Sequence, residues 1–187
     1  DGGRDLVFGQ DYAAYPGRFM SDGAISSPVR YIGLGDPTPI RGFGGNQRYR
    51  ELRTADFSDE IPLALSAQEA AELIRVPHGG LLVVVDDPAL LERQFTLSGR
   101  SQVAPNPLTG RVSGQDAPSL WITDEVADRL LAGTGKTAAE MRAESEQLGI
   151  GEINEVPLDD QVDMVVEGTL EERWPVQNVI GHMPGLA

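Results

Sequence analysis

Two adjacent carboxylates, Asp86 and Asp87, directly follow a short apolar run and precede Pro88. Proteins of the α/β class often place ligand-binding and catalytic groups at the carboxyl end of a buried strand. The pair could therefore bind a metal ion or act in a carboxylate-dependent hydrolysis. Asp-Asp-Pro is also a common way for a chain to leave a strand through a turn. The sequence favours the turn and leaves the chemical role open as an alternative.

The sequence GTGKT at residues 133–137 is similar to the end of a phosphate-binding loop. The full motif requires a glycine at position 130, where this chain has Leu130 within a predicted helix, and no apolar strand leads into the segment. A turn between two capped helices is the better interpretation.

The chain has few residues that could carry out histidine- or cysteine-based catalysis or bind a metal ion. His78 and His182 are far apart in the sequence, neither belongs to a recognisable motif, and the chain has no cysteine. Neither Gly-x-Ser-x-Gly nor His-Glu-x-x-His occurs. The sequence therefore predicts no catalytic residue, no cofactor-binding residue and no metal ligand, and we expect no cofactor in this chain.

Composition restricts the class of protein further. The chain has 187 residues, 40% of them hydrophobic, and a formal net charge of −14. This length and hydrophobic content suit one domain with a buried core. The acidic balance argues against nucleic acid and anionic membranes as partners. The first residues form no signal peptide and no apolar run is long enough to cross a bilayer. Because the chain does not begin with Met, we expect it to be a piece of a longer protein.

Local signals predict the elements that must position any functional group. Strands are predicted at residues 26–35, 81–85, 118–122, 161–167 and 170–180. Capping boxes at residues 66–69 and 137–140, and a cap at Thr123, predict helices that end near Pro77, Gly149 and Gly133. Residues 36–62 and 96–117, rich in Gly and Pro, are predicted to be long loops.

Four stretches together resemble a known family. Residues 24–35 (AISSPVRYIGLG) are similar to the strand that opens a protease-associated domain, and residues 78–88 (HGGLLVVVDDP) to its central buried strand. Residues 117–131 (APSLWITDEVADRLL) resemble the strand and helix that close that domain. Residues 176–185 (VQNVIGHMPG) resemble the strand by which zinc aminopeptidases of metallopeptidase family 28 re-enter their catalytic core.

The resemblance implies an α+β, β-rich protein with a swivelling β/β/α fold, in which helices flank a small sheet or open barrel. It divides the chain into a lead-in segment (1–23), a protease-associated domain (24–172) and a strand that returns to a catalytic core (173–187). The long loop at 36–62 and the helix at 137–149 depart from the family pattern.

The resemblance also implies a function. The chain would be a non-catalytic accessory domain of a zinc aminopeptidase, which covers the active site and aids the selection of substrates or partners. Its partners would be the peptidase catalytic domain in the same polypeptide and a peptide or protein substrate, without nucleic acid or membrane contact. The zinc ions would be bound by the catalytic core, since no position here matches the family's ligands. The family's location implies secretion or the periplasm. A stand-alone hydrolase that uses Asp86 or Asp87 is the alternative.

Overall fold

A six-stranded mixed sheet forms the centre of the protein, in the spatial order β1-β5-β4-β3-β2-β6. The computed structural model describes residues 5–14, 23–36, 49, 52, 54–85, 87, 89 and 117–166. Strands β2, β3, β4 and β5 run parallel to one another, and β1 and β6 pair antiparallel to β5 and β2 at the two edges. The described part of the chain is thus a mixed α+β protein with one sheet.

The strands are β1 (Tyr12–Ala14), β2 (Gly23–Leu34), β3 (Ile61–Ala64), β4 (Leu81–Val84), β5 (Ser119–Ile122) and β6 (Ile153–Val166). The helices are α1 (Ala67–Leu73), α2 (Asp124–Leu131) and α3 (Ala138–Ser145), and a 3-10 turn at Ala132–Thr134 connects α2 to α3. Both predicted capping boxes are present, and Thr123 accepts a hydrogen bond from the backbone of Val126 as predicted.

The sheet buries both of its faces. In β4, Leu82 and Val84 pack in one hydrophobic cluster with Val126 of α2 and Met141 of α3. Leu81 and Val83 belong to a second cluster on the opposite face with Leu73 of α1. Apolar side chains on both faces suit a parallel strand that helices cover from two sides. The prediction that this apolar run is a strand buried on both faces is confirmed.

The structure corrects several predicted boundaries. The predicted loop at 36–62 ends in strand β3, whose four residues are all buried, so β3 is at least as deeply buried as β4. Strand β6 begins at Ile153, well before the predicted start, and α3 ends at Ser145 rather than near Gly149. The two strand errors arose where pairing with neighbouring strands, rather than local pattern, decides the element.

Residues 12–14 of the predicted lead-in segment form the edge strand β1. The predicted loop at 96–117, except for Ala117, and the predicted strand at 170–180 lie outside the described residues. So do His182, Asp86 and the returning segment at 173–187.

The first half of β2 and the second half of β6 form a ribbon that covers the amino end of β4. Ile25 and Met164 are paired across this ribbon and approach the backbone at Gly79 and Gly80. A Cβ atom on Gly79 would collide with Ile25 and would lie 2.5 Å from the backbone carbonyl of Ser58. The backbone of Gly79 also donates hydrogen bonds to the carbonyls of Phe57 and Glu60. Glycine is therefore required for this close approach.

We expect Gly79→Ala to lower the free energy of unfolding by about 1–3 kcal/mol, because the added methyl group overpacks a contact that includes fixed backbone. Urea denaturation measures the change. Gly133→Ala is the matched control, since the nearest atom to its Cβ is a side-chain oxygen of Asp159 at 3.1 Å. Equal stability of the two variants would show that the ribbon is not packed against Gly79.

Candidate functional site

The carboxyl ends of β2, β3, β4 and β5 lie along one edge of the sheet, which is where proteins with parallel strands usually bind ligands. Asp87 follows β4 at this edge, and its Oδ1 accepts a hydrogen bond of 2.9 Å from the backbone of Ala89. This bond is the one that a turn after a strand makes. The described residues therefore place Asp87 in a turn.

Glu69 is a buried carboxylate at this edge, with 3% of its surface exposed. Its Oε2 accepts hydrogen bonds from the backbone of Leu65 at 2.7 Å and of Ser66 at 3.0 Å. Its Oε1 lies 3.3 Å from the backbone nitrogen of Leu34 and 3.5 Å from the hydroxyl of Tyr31. One side chain of α1 thus binds the ends of β2 and β3 together.

Tyr31 extends this polar network to helix α3. Its fully buried hydroxyl lies 2.5 Å from Oγ of Ser145 and donates to the carbonyl of Met141 at 3.4 Å. Gly33 permits this contact, because a Cβ atom there would collide with Ser145 Oγ and lie 2.6 Å from the Tyr31 hydroxyl. Strand β2 therefore contacts α1 and α3 through one tyrosine.

A second set of polar contacts fixes α3 against the same edge. Arg142 donates from Nε to the carbonyl of Leu65 at 2.7 Å, and its Nη2 forms an ion pair with Asp124 at the start of α2. Oδ1 of Asp128 accepts a hydrogen bond of 2.6 Å from the backbone of Ala138, the first residue of α3. The first turn of α3 and the end of β3 are thus held by charged side chains.

Burial changes the acid–base properties of the network. Burial raises the pKa of Glu69, against the opposing effect of the hydrogen bonds from Leu65, Leu34 and Ser66. Burial and the neighbouring Glu69 carboxylate raise the pKa of Tyr31. Perturbed groups of this kind occur at catalytic sites and also in structural networks. Here the polar atoms of both groups contact partners inside the protein, which supports a structural role.

Arg30 and Glu60 form a separate pair near the amino end of β3. Two hydrogen bonds of 2.6 Å connect the guanidinium of Arg30 to the carboxylate of Glu60, and Glu155 of β6 lies 3.6 Å from Arg30 Nη1. The hydrogen bonds from Arg30 lower the pKa of Glu60. The pair connects β2 to the start of β3, and Glu155 extends it to β6.

The GTGKT segment and His78 are the other candidate groups from the sequence that the structure describes. Residues 132–134 form a 3-10 turn, and Gly135 adopts φ 74° after it, so the GTGKT segment is the predicted turn between two helices. Lys136 of this turn forms an ion pair of 2.7 Å with Glu144. His78 is 8% exposed. The described residues contain no group of three or more His, Cys, Asp or Glu side chains placed to hold a metal ion.

Sequence reasoning missed the network of Tyr31, Glu69 and Ser145. In the sequence, Glu69 is the last residue of a predicted capping box and Tyr31 lies within a predicted strand. Ser145 lies 114 positions from Tyr31, so no local pattern connects them. The one available signal is Gly33, a small residue inside a predicted strand, which often marks close approach of another element.

These features define a mixed α+β protein whose parallel strands are tied at their carboxyl ends by a buried polar network. Comparison of the chain with protein-family models, with curated proteins and with solved structures gives no match. Among the described residues, no helix has the length and apolar character that crossing a membrane requires.

A double-mutant cycle on Tyr31→Phe and Ser145→Ala tests the network. We expect a coupling energy of about 0.5–3 kcal/mol from urea denaturation, because the two hydroxyls satisfy each other inside the protein. The exposed pair Glu125→Gln and Glu146→Gln is the control and should show no coupling. Additive effects of Tyr31→Phe and Ser145→Ala would exclude a direct interaction.

Glu69 should also make the free energy of unfolding depend on pH. Its pKa in the folded protein is raised above the ordinary 4.5, so the folded state binds the proton more tightly than the unfolded state does. The stability that this group contributes is present below the unfolded pKa and is lost as pH rises through the folded pKa. The wild type should therefore lose stability relative to Glu69→Gln as pH rises from about 4 to about 8.

Urea denaturation of both proteins at several pH values measures this difference. Glu125→Gln, at an exposed position of α2, is the control and should follow the wild type. A difference that changes in favour of the wild type as pH rises would mean that the hydrogen bonds to Glu69 outweigh its burial.

Proposed function

We propose that this chain is a non-catalytic protease-associated domain of a zinc aminopeptidase similar to metallopeptidase family 28, and that it helps to select the substrate. The observation that carries the proposal is the position of three stretches that resemble the family. Residues 24–35 form most of β2, residues 78–88 contain β4, and residues 117–131 contain β5 and α2. All three stretches belong to one sheet, in which β4 and β5 are neighbours.

The presence of one small sheet with flanking helices is the coarse feature of the fold that supports the proposal. The family's swivelling β/β/α arrangement needs a small sheet with flanking helices, and here α1 packs on one face while α2 and α3 pack on the other. The ribbon of β2 and β6 curls over the amino end of β4, as a partly closed sheet would. These features support the proposal at the level of a mixed sheet with flanking helices.

The hydrogen bonds of the buried and half-buried polar side chains favour a structural role for them over a role in an active site. Glu69, Tyr31 and Arg142, which could serve acid–base or anion-binding chemistry, are committed to backbone groups and to helix packing. Asp87 accepts a backbone hydrogen bond in a turn. This favours the accessory role over the alternative hydrolase that would use Asp86 or Asp87.

In this proposal the contribution to peptide hydrolysis is steric and electrostatic. The sheet would carry the segment at 36–60, which precedes β3, and the predicted loop at 96–117 towards the substrate, since loops on a scaffold commonly carry recognition. Zinc and its ligands would belong to the catalytic domain, with which this domain would share a polypeptide. In this proposal the protein would lie outside the cytoplasm, as the family resemblance implies.

Shortening residues 96–117 in the parent peptidase should lower kcat/KM for peptides far more than for a small chromogenic amino-acid amide. A loop that contacts only the extended part of a substrate cannot affect a substrate that lacks this part. Steady-state kinetics on both substrates measures the difference. The exposed substitution Glu146→Gln is the control and should change neither value.

Equal losses on the two substrates would show that the loop serves folding alone. Hydrolysis of the small amide by the 187-residue chain with added Zn²⁺ would overturn the accessory role itself.

A further inference from the structure

Strand β6 forms one edge of the described sheet. It pairs with β2 along its length, and no other described strand lies beyond it. With 14 residues, it is far longer than the opposite edge strand, β1, which has three. An exposed edge strand presents backbone N–H and C=O groups that another extended chain can pair with.

The edge has two unequal parts. Pro157 and a bulge between Pro157 and Gln161 interrupt the regular pairing of β6 with β2. Proline lacks an N–H group and a bulge twists the strand, so the interrupted part is poorly suited to pairing. Residues 161–166 pair with β2 in continuous register and contain no proline. They form the longer of two regular, proline-free stretches of this edge, the other being residues 153–156.

The side chains of this part alternate in character. Val162 and Met164 belong to the hydrophobic core or pack against it. Gln161, Asp163 and Val165 point to the opposite face and are exposed, Val165 by 68%. The exposed Asp159 and Asp160 lie in the adjacent bulge. The edge therefore presents carboxylates beside an apolar side chain.

These charges discriminate between possible occupants of the edge. A second copy of the chain would bring its own carboxylates close to Asp160 and Asp163, and like charges on paired strands are destabilising. Opposite charges across a strand pair are stabilising, and the net charge of −14 attracts a cation over a longer range. Charge complementarity thus favours a basic partner.

We propose that residues 161–166 bind an extended segment of a partner protein in which basic and apolar residues alternate, by adding it to the sheet next to β6. The basic residues of this segment would lie on the face of Asp163 and its apolar residues on the face of Val162, while Asp160 in the adjacent bulge would add negative charge. The inference rests on the edge of the sheet and its charges, and it does not depend on the accessory-domain proposal.

A fluorescently labelled peptide of alternating Lys and Val tests the inference by anisotropy with the 187-residue chain. We expect saturable binding that the double variant Asp160→Lys/Asp163→Lys weakens about tenfold or more. The exposed helix positions Glu125 and Glu146, both changed to Lys, form the matched control with the same change in net charge. This control should weaken binding much less.

A second peptide, N-methylated at every other residue, tests the backbone pairing and should not bind, because it lacks the donors that a strand needs. Thermal unfolding of each variant establishes that it is folded. The milder Asp163→Asn substitution provides the same test, with a smaller loss of affinity, where the double variant does not fold.

Three results would overturn the proposal. Absence of peptide binding would exclude a site at this edge for such a segment. Equal weakening by the edge and control variants, or equal binding of the methylated peptide, would reduce the interaction to general charge attraction. Dimers seen in sedimentation that Asp163→Asn stabilises would identify a second copy as the occupant.

Discussion

The arrangement of the carboxyl ends of the parallel strands depends on the hydrogen bonds that the buried carboxylate of Glu69 accepts. A carboxylate inside a protein is costly unless hydrogen bonds replace its water. Glu69 obtains these bonds from backbone groups of three segments: the end of β2, the end of β3 and the cap of α1. The same side chain that begins a helix therefore also sets the spacing of two parallel strands. Tyr31 transmits this constraint to α3 through Ser145.

At the amino end of β4, two glycines without side chains determine how the β2–β6 ribbon packs. Gly79 and Gly80 leave space that Ile25 and Met164 fill, so the long β2–β6 ribbon bends over the amino end of β4. Hydrogen bonds thus hold the strands together at the carboxyl end of the sheet, and apolar packing holds them together at the amino end. At the carboxyl end, backbone groups that strand pairing leaves free need hydrogen-bond partners, which side chains supply. At the amino end, glycines permit the close approach of apolar side chains.

Together these contacts join the described strands and helices, and the buried Tyr31, Glu69 and Ser145 bond to one another or to backbone. Such an arrangement suits a domain that presents loops or an edge to other molecules. In the proposed function, the molecule recognised would be a peptide or protein substrate near the zinc centre of the catalytic domain. The acidic edge at residues 161–166 offers a surface for recognition independent of those loops.

The sequence alone determined the elements whose cause is local. The capping boxes at Ser66 and Thr137 act within one helical turn, and the apolar run of β4 is visible in composition, so the starts of both helices and the buried strand were predicted correctly. Strand β3 is too short to show a period, and its state depends on pairing with β2 and β4. The first half of β6 is likewise defined by its partner.

The candidate site divides in the same way. The sequence identified Glu69 as a helix cap and Asp87 as a turn residue, because each acts on backbone only a few positions away. Only the tertiary structure buried Glu69 and brought Tyr31 to Ser145, since hydrogen bonds between distant segments leave no periodic signal in a single sequence. Caps and turns depend on neighbouring residues and can be predicted from the sequence, whereas burial and long-range contacts exist only once the sheet and helices have packed.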